Sequence, residues 1–350
     1  MPLISCMLPT ARSDHPIIGL PDVHVFEPTF RSLEAQTFKE FDLVIVDALW
    51  PKKNEWIEEW NPSFPVKYVP VHPNHRFWLD RGRWGVCGQL NTGILHSEGE
   101  LLCRIDDCSE FDSGYLQRVW DEYEEGHWLM AMHIRYLEGK PSRIDEEYME
   151  KGYEALYSET LEAGAREVLL RHIYGEEGLV KDTRYPIVKA RGGRMNAPPE
   201  WFYGYSSLTL EAALRVNGFN ELFDGDKGQE DQEMGLRLAM AGYRDLLLLD
   251  VRHQVIEHEH LPVPDSIISH GQGNIKCNYA IYLLNKRKGR WRANTDVLTE
   301  EELAFIREES LQPPCSPRTG FYLDDCDGEL FRLWAENQNI FDLREERMEV

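Results

Sequence analysis

Short apolar runs alternate with amphipathic segments in the first part of the chain. Residues 3–8 and the run FDLVIVDAL from Phe41 are continuous apolar stretches, as in parallel strands buried on both faces. Between them, EPTFRSLEAQTF places apolar side chains, including Phe30 and Leu33, at helical spacing. This order predicts a crossover unit of two parallel strands, and residues 66–71 predict a third strand.

Polar residues stand where these strands end. Thr10 follows the first strand and Asp47 ends the second, while LLCRIDD predicts a further strand that delivers Asp106 and Asp107. Open α/β sheets bind ligands at the carboxyl ends of their strands, so we expect these residues to lie near a ligand. A strand-end acid that only stabilises a turn is the alternative.

A second pair of acids begins a strong helix. From Glu230 the apolar residues recur at spacings of four and three, and Gly242 is placed to end the helix in a left-handed conformation. The free N–H groups of a first turn favour an ionised carboxylate, so Glu230 or Asp231 can act as a base. The alternative is an ordinary N-terminal helix charge.

The later parts of the chain are mainly helical. Residues 140–191 form a charged segment with helical spacing, which we interpret as an insertion. HWLMAMHIRYL, just before it, predicts a strand of the core sheet. Residues 263–350 predict a helical extension, in which Thr299 and Glu302 have the spacing of a capping box.

Composition and charge narrow the possible functions. The chain has 350 residues, of which 42% are hydrophobic, enough for a sizeable core. Lys and Arg number 38 against 61 Asp and Glu, giving a net charge of −23. This charge repels phosphate backbones, so we expect no nucleic-acid partner.

The cysteines and the apolar segments indicate the compartment. The seven cysteines include no CxxC pair, so neither a disulfide framework nor a zinc ribbon is indicated. No window approaches about 18 uninterrupted apolar residues, and no basic leader precedes an apolar stretch. We therefore expect a cytoplasmic protein without a transmembrane segment.

Four motifs, in order, resemble inverting glycosyltransferases of the GT-A fold, in the large family that includes cellulose, hyaluronan and chondroitin synthases. GFNELF followed by GQEDQE resembles the glycine, phenylalanine, acid and then Glu-Asp pattern of that family. GFNE is also similar to a galactosyltransferase C-terminal domain. The resemblance implies that Asp231, beside Glu230, is the catalytic base that deprotonates the acceptor hydroxyl.

The upstream motifs imply a donor site. SLEAQTFKEFDLVIVD resembles the family signature in which the final acid, here Asp47, contacts uracil or ribose. VCGQLNTGILHSEGE is similar to the helix in which Asn91 lines the donor pocket. Thr10 lies at the same predicted edge, so we expect it to bind the donor as well. Arg83 or Arg81 is suited to a diphosphate, because the guanidinium group matches phosphate oxygens. The alternative is that both are solvated surface arginines.

The D-x-D motif of the family is altered in this chain. Aligning GYL with the family pattern places Asp106 at the first acid and Cys108 at the last, which in the family holds a divalent cation. Mn²⁺ and Mg²⁺ prefer oxygen ligands, so the thiol is a poor substitute unless a softer metal is used or Asp107 takes over. The resemblance nevertheless implies a Mn²⁺ or Mg²⁺ cofactor.

A histidine completes the metal site in many such enzymes. His258, within VIEHEH, fits the family pattern best, and His253 and His260 remain candidates. Trp201 and Tyr203 are the aromatic residues that we expect against the acceptor, because sugar C–H faces stack on rings.

The predicted fold is α/β, a GT-A, Rossmann-like and mostly parallel sheet flanked by helices, with a helical insertion and a C-terminal helical extension. We predict a glycosyltransferase domain over 1–262, with its insertion at about 140–191, and the extension over 263–350. The predicted reaction moves a hexosyl group, with inversion, from a nucleotide sugar such as a UDP-sugar to a hydroxyl of a glycan or another acceptor.

Two other classes of protein remain possible from the sequence. A noncatalytic binder of nucleotide sugars or glycans is compatible with Cys108 at a metal position. A sugar-phosphate nucleotidyltransferase shares the sheet, but it needs a glycine-rich basic loop after the first strand, where PTARSDHP stands instead.

Overall fold

A computed structural model describes most of the chain. The described residues are 2–12, 16–17, 20–24, 26–83, 85–131, 133–136, 179–180, 189–190, 194–195, 202, 205–225, 228–248, 255–258, 276–310 and 329–350. Several predictions lie outside these ranges: most of the insertion at 140–191, the boundary at 262, the acceptor residues Trp201 and Tyr203, and the alternative histidines His253 and His260.

The strands in chain order are β1 (Ile4–Thr10), β2 (Pro16–Ile17), β3 (Leu20–His24), β4 (Phe41–Asp47), β5 (Val66–Pro70), β6 (Leu101–Arg104), β7 (Ser109–Glu110), β8 (His127–Ala131), β9 (His133–Tyr136), β10 (Leu179–Val180), β11 (Arg194–Met195), β12 (Ser206–Thr209), β13 (Arg244–Leu248) and β14 (Val255–His258). The helices are α1 (Glu27–Glu34), α2 (Asn54–Trp60), α3 (Val86–His96), α4 (Tyr115–Glu122), α5 (Leu210–Arg215), α6 (Glu230–Met240), α7 (Lys276–Lys288), α8 (Glu300–Ser310), α9 (Glu329–Glu336) and α10 (Leu343–Glu346). Each of the predicted strands and helices within the described part of the first 131 residues is present.

Within the described residues, eight strands form a central sheet in the order β11-β13-β8-β12-β6-β1-β4-β5. The pairs β6-β1, β1-β4, β4-β5 and β13-β8 are parallel, and β12 and β11 run antiparallel to their neighbours. The predicted mostly parallel sheet with crossover connections is confirmed. A smaller sheet has the order β10-β9-β14-β7, and β2 pairs with β3.

One sequence prediction about the strands is wrong. The apolar pattern predicts HWLMAMHIRYL as a single strand of the core, but the segment divides into β8 in the central sheet and β9 in the smaller sheet. Which sheet a segment joins depends on the strand edges available to it, and the apolar pattern within one segment carries no information about those edges.

Helices cover both faces of the central sheet. Along β1, Cys6 and Leu8 point into one apolar cluster and Met7 into the other, as expected for alternating side chains of a strand buried on both faces. The first cluster includes side chains of α1 and α4, and the second includes side chains of α3, α5, α6 and the C-terminal helices. The result is a three-layer α/β/α architecture.

The described part of the C-terminal extension shares this core. Ile281 of α7, Ile306 of α8 and Trp334 of α9 belong to the same buried cluster as α3 and α6. The predicted capping box is present at the start of α8, where Thr299 and Glu302 exchange backbone and side-chain hydrogen bonds. The extension therefore packs on the α/β layers and contributes to their core.

Asn217 fastens the extension to the core. Its amide group donates to the carbonyl oxygens of Ala293 and Phe341, both at 2.8 Å, and its oxygen accepts from the N–H of Leu343 at 2.9 Å. The side chain is buried, and the backbone is left-handed with a φ of 61°. Asparagine tolerates this conformation better than most residues.

We expect Asn217→Ala to lower the free energy of unfolding by about 3 kcal/mol or more. The change leaves three buried backbone groups without partners, each costing about 1–3 kcal/mol. Urea denaturation measures the difference, with Asn337→Ala as the control because Asn337 is exposed. Equal stability of Asn217→Ala and wild type would contradict the role assigned to this side chain.

No helix among the described residues combines the length and the apolar content that a membrane crossing requires. The cysteines of the described part are buried and form no disulfide among the described residues: Cys6, Cys87, Cys103, Cys108 and Cys277.

Candidate active site

The carboxyl ends of β1, β4 and β6 meet at one edge of the central sheet. Thr10 lies opposite Asp47 in the parallel register of β1 and β4, and Arg104 lies opposite Met7 across β1 and β6. The Thr10 hydroxyl donates a hydrogen bond of 2.7 Å to Asp107 Oδ2. The structure thus brings together the strand-end residues predicted from the sequence.

Asp107 is fully engaged at this edge. Its Oδ1 atom accepts a hydrogen bond of 2.8 Å from Arg12 Nε, and its Oδ2 atom accepts the bond from Thr10. Arg12 therefore places a positive charge directly at the second acid of the Asp106-Asp107 pair. Hydrogen bonds to an ionised carboxylate are roughly twice as strong as neutral ones, so this arrangement fixes the loop after β1 against the loop after β6.

Asp47 is also held by several partners. Its Oδ2 atom accepts hydrogen bonds of 2.6 Å from both Lys53 Nζ and the Tyr68 hydroxyl, and its Oδ1 atom accepts the N–H of Leu49. Burial, followed by the bond and charge of Asp47, raises the pKa of Tyr68. With 0% of its side chain exposed, Asp47 organises the end of β4 in this structure.

Two buried residues that the sequence analysis missed anchor α3 at the same edge. Gln89 donates to the carbonyl oxygen of Thr10 at 2.6 Å. Asp224 accepts the N–H groups of Cys87 and Gly88, both at 2.9 Å, in the first turn of α3. The two bonds to Asp224 satisfy backbone N–H donors that a helix N-terminus otherwise leaves without partners. Asp224 is the acid that directly follows GFNELF in the sequence. Its partner Cys87 lies 137 residues earlier, so the sequence alone does not indicate this contact.

The predicted helix of the Glu-Asp pair begins where expected. Helix α6 starts at Glu230, after Gln229 in a left-handed conformation, and Gly242 follows its end with a φ of 96°. Burial, together with the negative charge of Glu230, raises the pKa of Asp231 to about 7. Asp231 is therefore poised to accept a proton near neutral pH.

The positive charge of Arg104 interacts with acids of both pairs, Asp106 of the first and Glu230 and Asp231 of the second. This side chain is 7% exposed, and its Nη2 atom lies 4.0 Å from Asp106 Oδ1. Burial lowers the pKa of Arg104, but the negative charges of Asp106, Glu230 and Asp231 outweigh that effect and raise it. Its positive charge in turn lowers the pKa of Asp231. The signal in the sequence was a single arginine within the apolar strand LLCRIDD.

The three residues of the altered D-x-D motif differ in exposure. The side chain of Asp106 is 32% exposed, whereas Cys108 is 2% exposed and packs in the apolar cluster beneath α1 and α4. Burial, with the nearby charge of Glu257, raises the pKa of the Cys108 thiol, which is therefore neutral. Asp106 is the acid of the motif that faces outward.

Arg81 and Arg83 lie in the loop before α3. The guanidinium of Arg81 stands 3.7 Å from the ring centre of Phe77, a cation–π contact, and Arg81 also donates to the Phe77 carbonyl oxygen. Arg83 is half-buried, and its backbone N–H is bonded to Trp78. Of the two arginines, Arg83 stays a prediction for the diphosphate.

Asn91, a predicted donor-binding residue, is used inside the protein. Its amide donates to the Phe219 carbonyl oxygen and to Glu221 Oε1, both at 2.9 Å, and its oxygen accepts the N–H of Phe219. Asn91 therefore joins α3 to the GFNELF segment. The side chain is 0% exposed, so in this structure its hydrogen bonds serve the packing of those two elements.

His258 ends β14, which pairs with β7 so that Glu257 lies opposite Ser109. Since β7 starts one residue after Cys108, the fold carries the strand of the predicted metal histidine next to the altered D-x-D motif. The role of His258 as a metal ligand stays a prediction.

No protein-family model and no curated protein sequence matches this chain. Solved structures do. S. aureus TarS 1-349 matches with a TM-score of 0.50 and 12% identity, over 88% of this chain and 70% of that chain. Its complex with UDP-GlcNAc matches with a TM-score of 0.50 and 13% identity, over 88% and 71%. The chain has the GT-A fold.

A second solved structure supports the same assignment. GalNAc-T7 with UDP, GalNAc and Mn²⁺ matches with a TM-score of 0.50 and 13% identity, over 99% of this chain and 56% of that chain. The predicted α/β, GT-A fold class is thus confirmed. At such low sequence identity, the structural matches establish the architecture alone. The chemistry of the site is argued from the residues described above.

Proposed function

We propose that the chain is a glycosyltransferase that uses a nucleotide sugar, most simply a UDP-sugar. The observation that carries this proposal is the buried Arg104 at the ligand-binding edge of a GT-A sheet, 4.0 Å from Asp106 and with a pKa that the charges of Asp106, Glu230 and Asp231 raise. Solved structures of similar fold contain UDP-GlcNAc, or UDP with GalNAc and Mn²⁺. That likeness supports the proposed donor class.

Asp231 is the proposed general base. An acceptor hydroxyl oxygen attacks the anomeric carbon while the bond from that carbon to the diphosphate oxygen breaks, and the acceptor proton passes to Asp231. A single displacement inverts the anomeric centre. Glu230 raises the proton affinity of Asp231 through its neighbouring negative charge, and Arg104 limits that increase.

The donor is proposed to lie along the strand ends. Asp106 offers an exposed carboxylate for the ribose hydroxyls, and Thr10, Asp47 and Asp107 hold the edge in shape. The leaving diphosphate gains negative charge, and we assign Arg12 at this edge and Arg83 in the loop before α3 to it.

The described residues fit a Mn²⁺ or Mg²⁺ ion poorly. Both oxygens of Asp107 already accept hydrogen bonds from Arg12 and Thr10, and Cys108 is buried as a neutral thiol. That leaves Asp106 as the outward carboxylate of the motif, so a cation here would take most of its ligands from phosphate oxygens and water. We therefore assign no step to a metal.

The acceptor is proposed to be a hydroxyl compound such as a glycan, with Trp201 and Tyr203 as its stacking residues. A noncatalytic binder is the alternative. The test is a panel of nucleotide sugars in thermal-shift and UDP-release assays, because a ligand of the native state raises the apparent stability. We expect one UDP-sugar to stabilise the protein and to be hydrolysed slowly without acceptor; binding without UDP release, with or without acceptors, would favour the binder.

The pKa of Asp231 predicts the pH dependence of transfer. An ordinary Asp pKa is about 3.9, but in this protein the pKa of Asp231 is about 7, so the proton stays on the carboxyl below neutrality and blocks the base. We expect the rate of transfer to rise as the pH increases through about 7 and to level off above it. A rate that is constant from pH 5 to pH 8 contradicts the assignment of Asp231.

A further inference from the structure

A cluster of ligand-type side chains lies away from the strand ends. His72 and His75 flank the turn after β5, and Glu346 is the last residue of α10. One possible ligand atom from each lies within 4.8 Å of the others. His75 Nε2 stands 2.9 Å from Glu346 Oε2. Residues 271 positions apart are thus brought together by the packing of the C-terminal helix.

The surroundings of His75 and Glu346 match those of metal ligands. Glu221 Oε1 lies 2.6 Å from His75 Nδ1, which leaves Nε2 as the atom that faces Glu346. Ligating histidines commonly have their second ring nitrogen against a carboxylate, which fixes the ring and increases its basicity. On the other side, Asn74 Nδ2 donates to Glu346 Oε1 at 2.9 Å and so orients that carboxylate.

His72 supplies an independent observation. Its Nδ1 atom is buried and has no hydrogen-bond partner among the described residues, although buried polar atoms are paired in the great majority of cases. His72 Nδ1 therefore has a lone pair that no neighbour among the described residues uses. The rings of His72 and His75 have centres 5.5 Å apart.

We propose that His72, His75 and Glu346 form a zinc-type metal site that fastens helix α10 to the turn after β5. Two imidazole nitrogens and one carboxylate oxygen are a donor set for Zn²⁺, whereas Mg²⁺ and Ca²⁺ take oxygen ligands. Three protein ligands leave the fourth tetrahedral position to water.

His75 and Glu346 need little adjustment to accept the ion. Two ligand atoms at about 2.0–2.1 Å from a tetrahedral ion are ~3.3 Å apart, while His75 Nε2 and Glu346 Oε2 are 2.9 Å apart. The ligand atom of His72 lies within 4.8 Å of both. Without a metal, a hydrogen bond joins His75 and Glu346, and the ion replaces the proton of that bond.

The site lies where it can stabilise the contact of the C-terminus with α3. Beside Glu346, Arg347 donates to the carbonyl oxygens of Ile94 and Leu95 at the end of α3, at 2.6 and 2.9 Å. At the other end of the cluster, the His72 backbone N–H is bonded to Thr92 of the same helix. The metal thus links the turn after β5 to α10, and both of these segments contact α3.

The test compares zinc binding by metal-free, full-length wild type and His72→Asn. This variant keeps the contacts of His75 with Glu221 and Glu346, so it separates a metal site from a proton bridge. We expect ZnCl₂ to raise the Tm of wild type, and calorimetry to give a zinc dissociation constant at least about tenfold larger for His72→Asn. Co²⁺ should give the visible absorption bands of a tetrahedral site in wild type.

Two matched variants complete the test. His96→Asn removes a histidine of α3 outside the cluster and should keep the zinc response. Asp106→Ala should also keep it, because the ion does not bind at the strand ends. The proposal is overturned if zinc leaves the Tm unchanged, if His72→Asn binds zinc as tightly as wild type, or if Asp106→Ala abolishes the response.

Discussion

Asp231→Asn is expected to lower the turnover of sugar transfer by about a hundredfold or more, while UDP binding changes little. The substitution keeps the size of the side chain but removes the basic oxygen that accepts the acceptor proton, and a placed general base contributes about 10²–10⁴-fold. A hundredfold loss corresponds to about 2.7 kcal/mol of transition-state stabilisation. Steady-state transfer kinetics and calorimetry with UDP measure the two quantities.

The control for this prediction is a second first-turn acid. Glu301 lies in the first turn of α8, is exposed, and has no place in the proposed site, so Glu301→Gln should transfer at the wild-type rate. If Asp231→Asn keeps more than half of the wild-type turnover, Asp231 is an ordinary helix N-terminal charge and the base lies elsewhere.

Arg104→Gln is expected to move the pH profile of transfer upward by roughly one pH unit or more and to lower the rate at neutral pH. Removing the buried positive charge leaves Asp106, Glu230 and Asp231 without their common partner, so the ionised form of Asp231 becomes less stable and its pKa rises further. A tenfold change in the acid dissociation constant of Asp231 corresponds to about 1.4 kcal/mol. Transfer rates measured between pH 6 and pH 9 give the midpoint of each profile.

Arg104→Lys is the matched variant, because it keeps a positive charge at the same position. Its profile should lie between those of wild type and Arg104→Gln, which a purely structural role of the arginine side chain does not predict. A loss of activity that is the same at every pH in both variants would mean that Arg104 acts through packing, and circular dichroism would show whether the fold is retained.

The strand ends and the Glu-Asp helix could be predicted because their signals are local. Continuous apolar runs of four to eight residues report a strand buried on both faces, and the residue after the run is then placed at the sheet edge. Thr10, Asp47 and Asp107 were found in this way, and the start of α6 at Glu230 followed from periodicity and the position of Gly242. The ordered family motifs added the predicted reaction and the predicted role of Asp231.

The partners of these residues could not be predicted, because they depend on contacts between distant segments. Asp224 bonds the first turn of α3 from 137 residues away, and Arg12 meets Asp107 across 95 residues. Burial in the folded chain also decides whether a polar side chain can bind a ligand. The Asn91 amide is hydrogen-bonded to Phe219 and Glu221, and Cys108 packs in the core. Periodicity reports none of these outcomes.

The measurement that tests the central claim most directly is the affinity for UDP of wild type and Asp106→Ala, by isothermal titration calorimetry. Asp106 is the exposed acid at the proposed donor edge, whereas Asp121, an exposed acid of α4, supplies the control variant Asp121→Ala. The account predicts that wild type and Asp121→Ala bind UDP alike and that Asp106→Ala binds it at least about tenfold more weakly. Equal UDP binding by all three proteins, or no binding by wild type, would contradict a nucleotide-sugar site at the carboxyl ends of β1, β4 and β6.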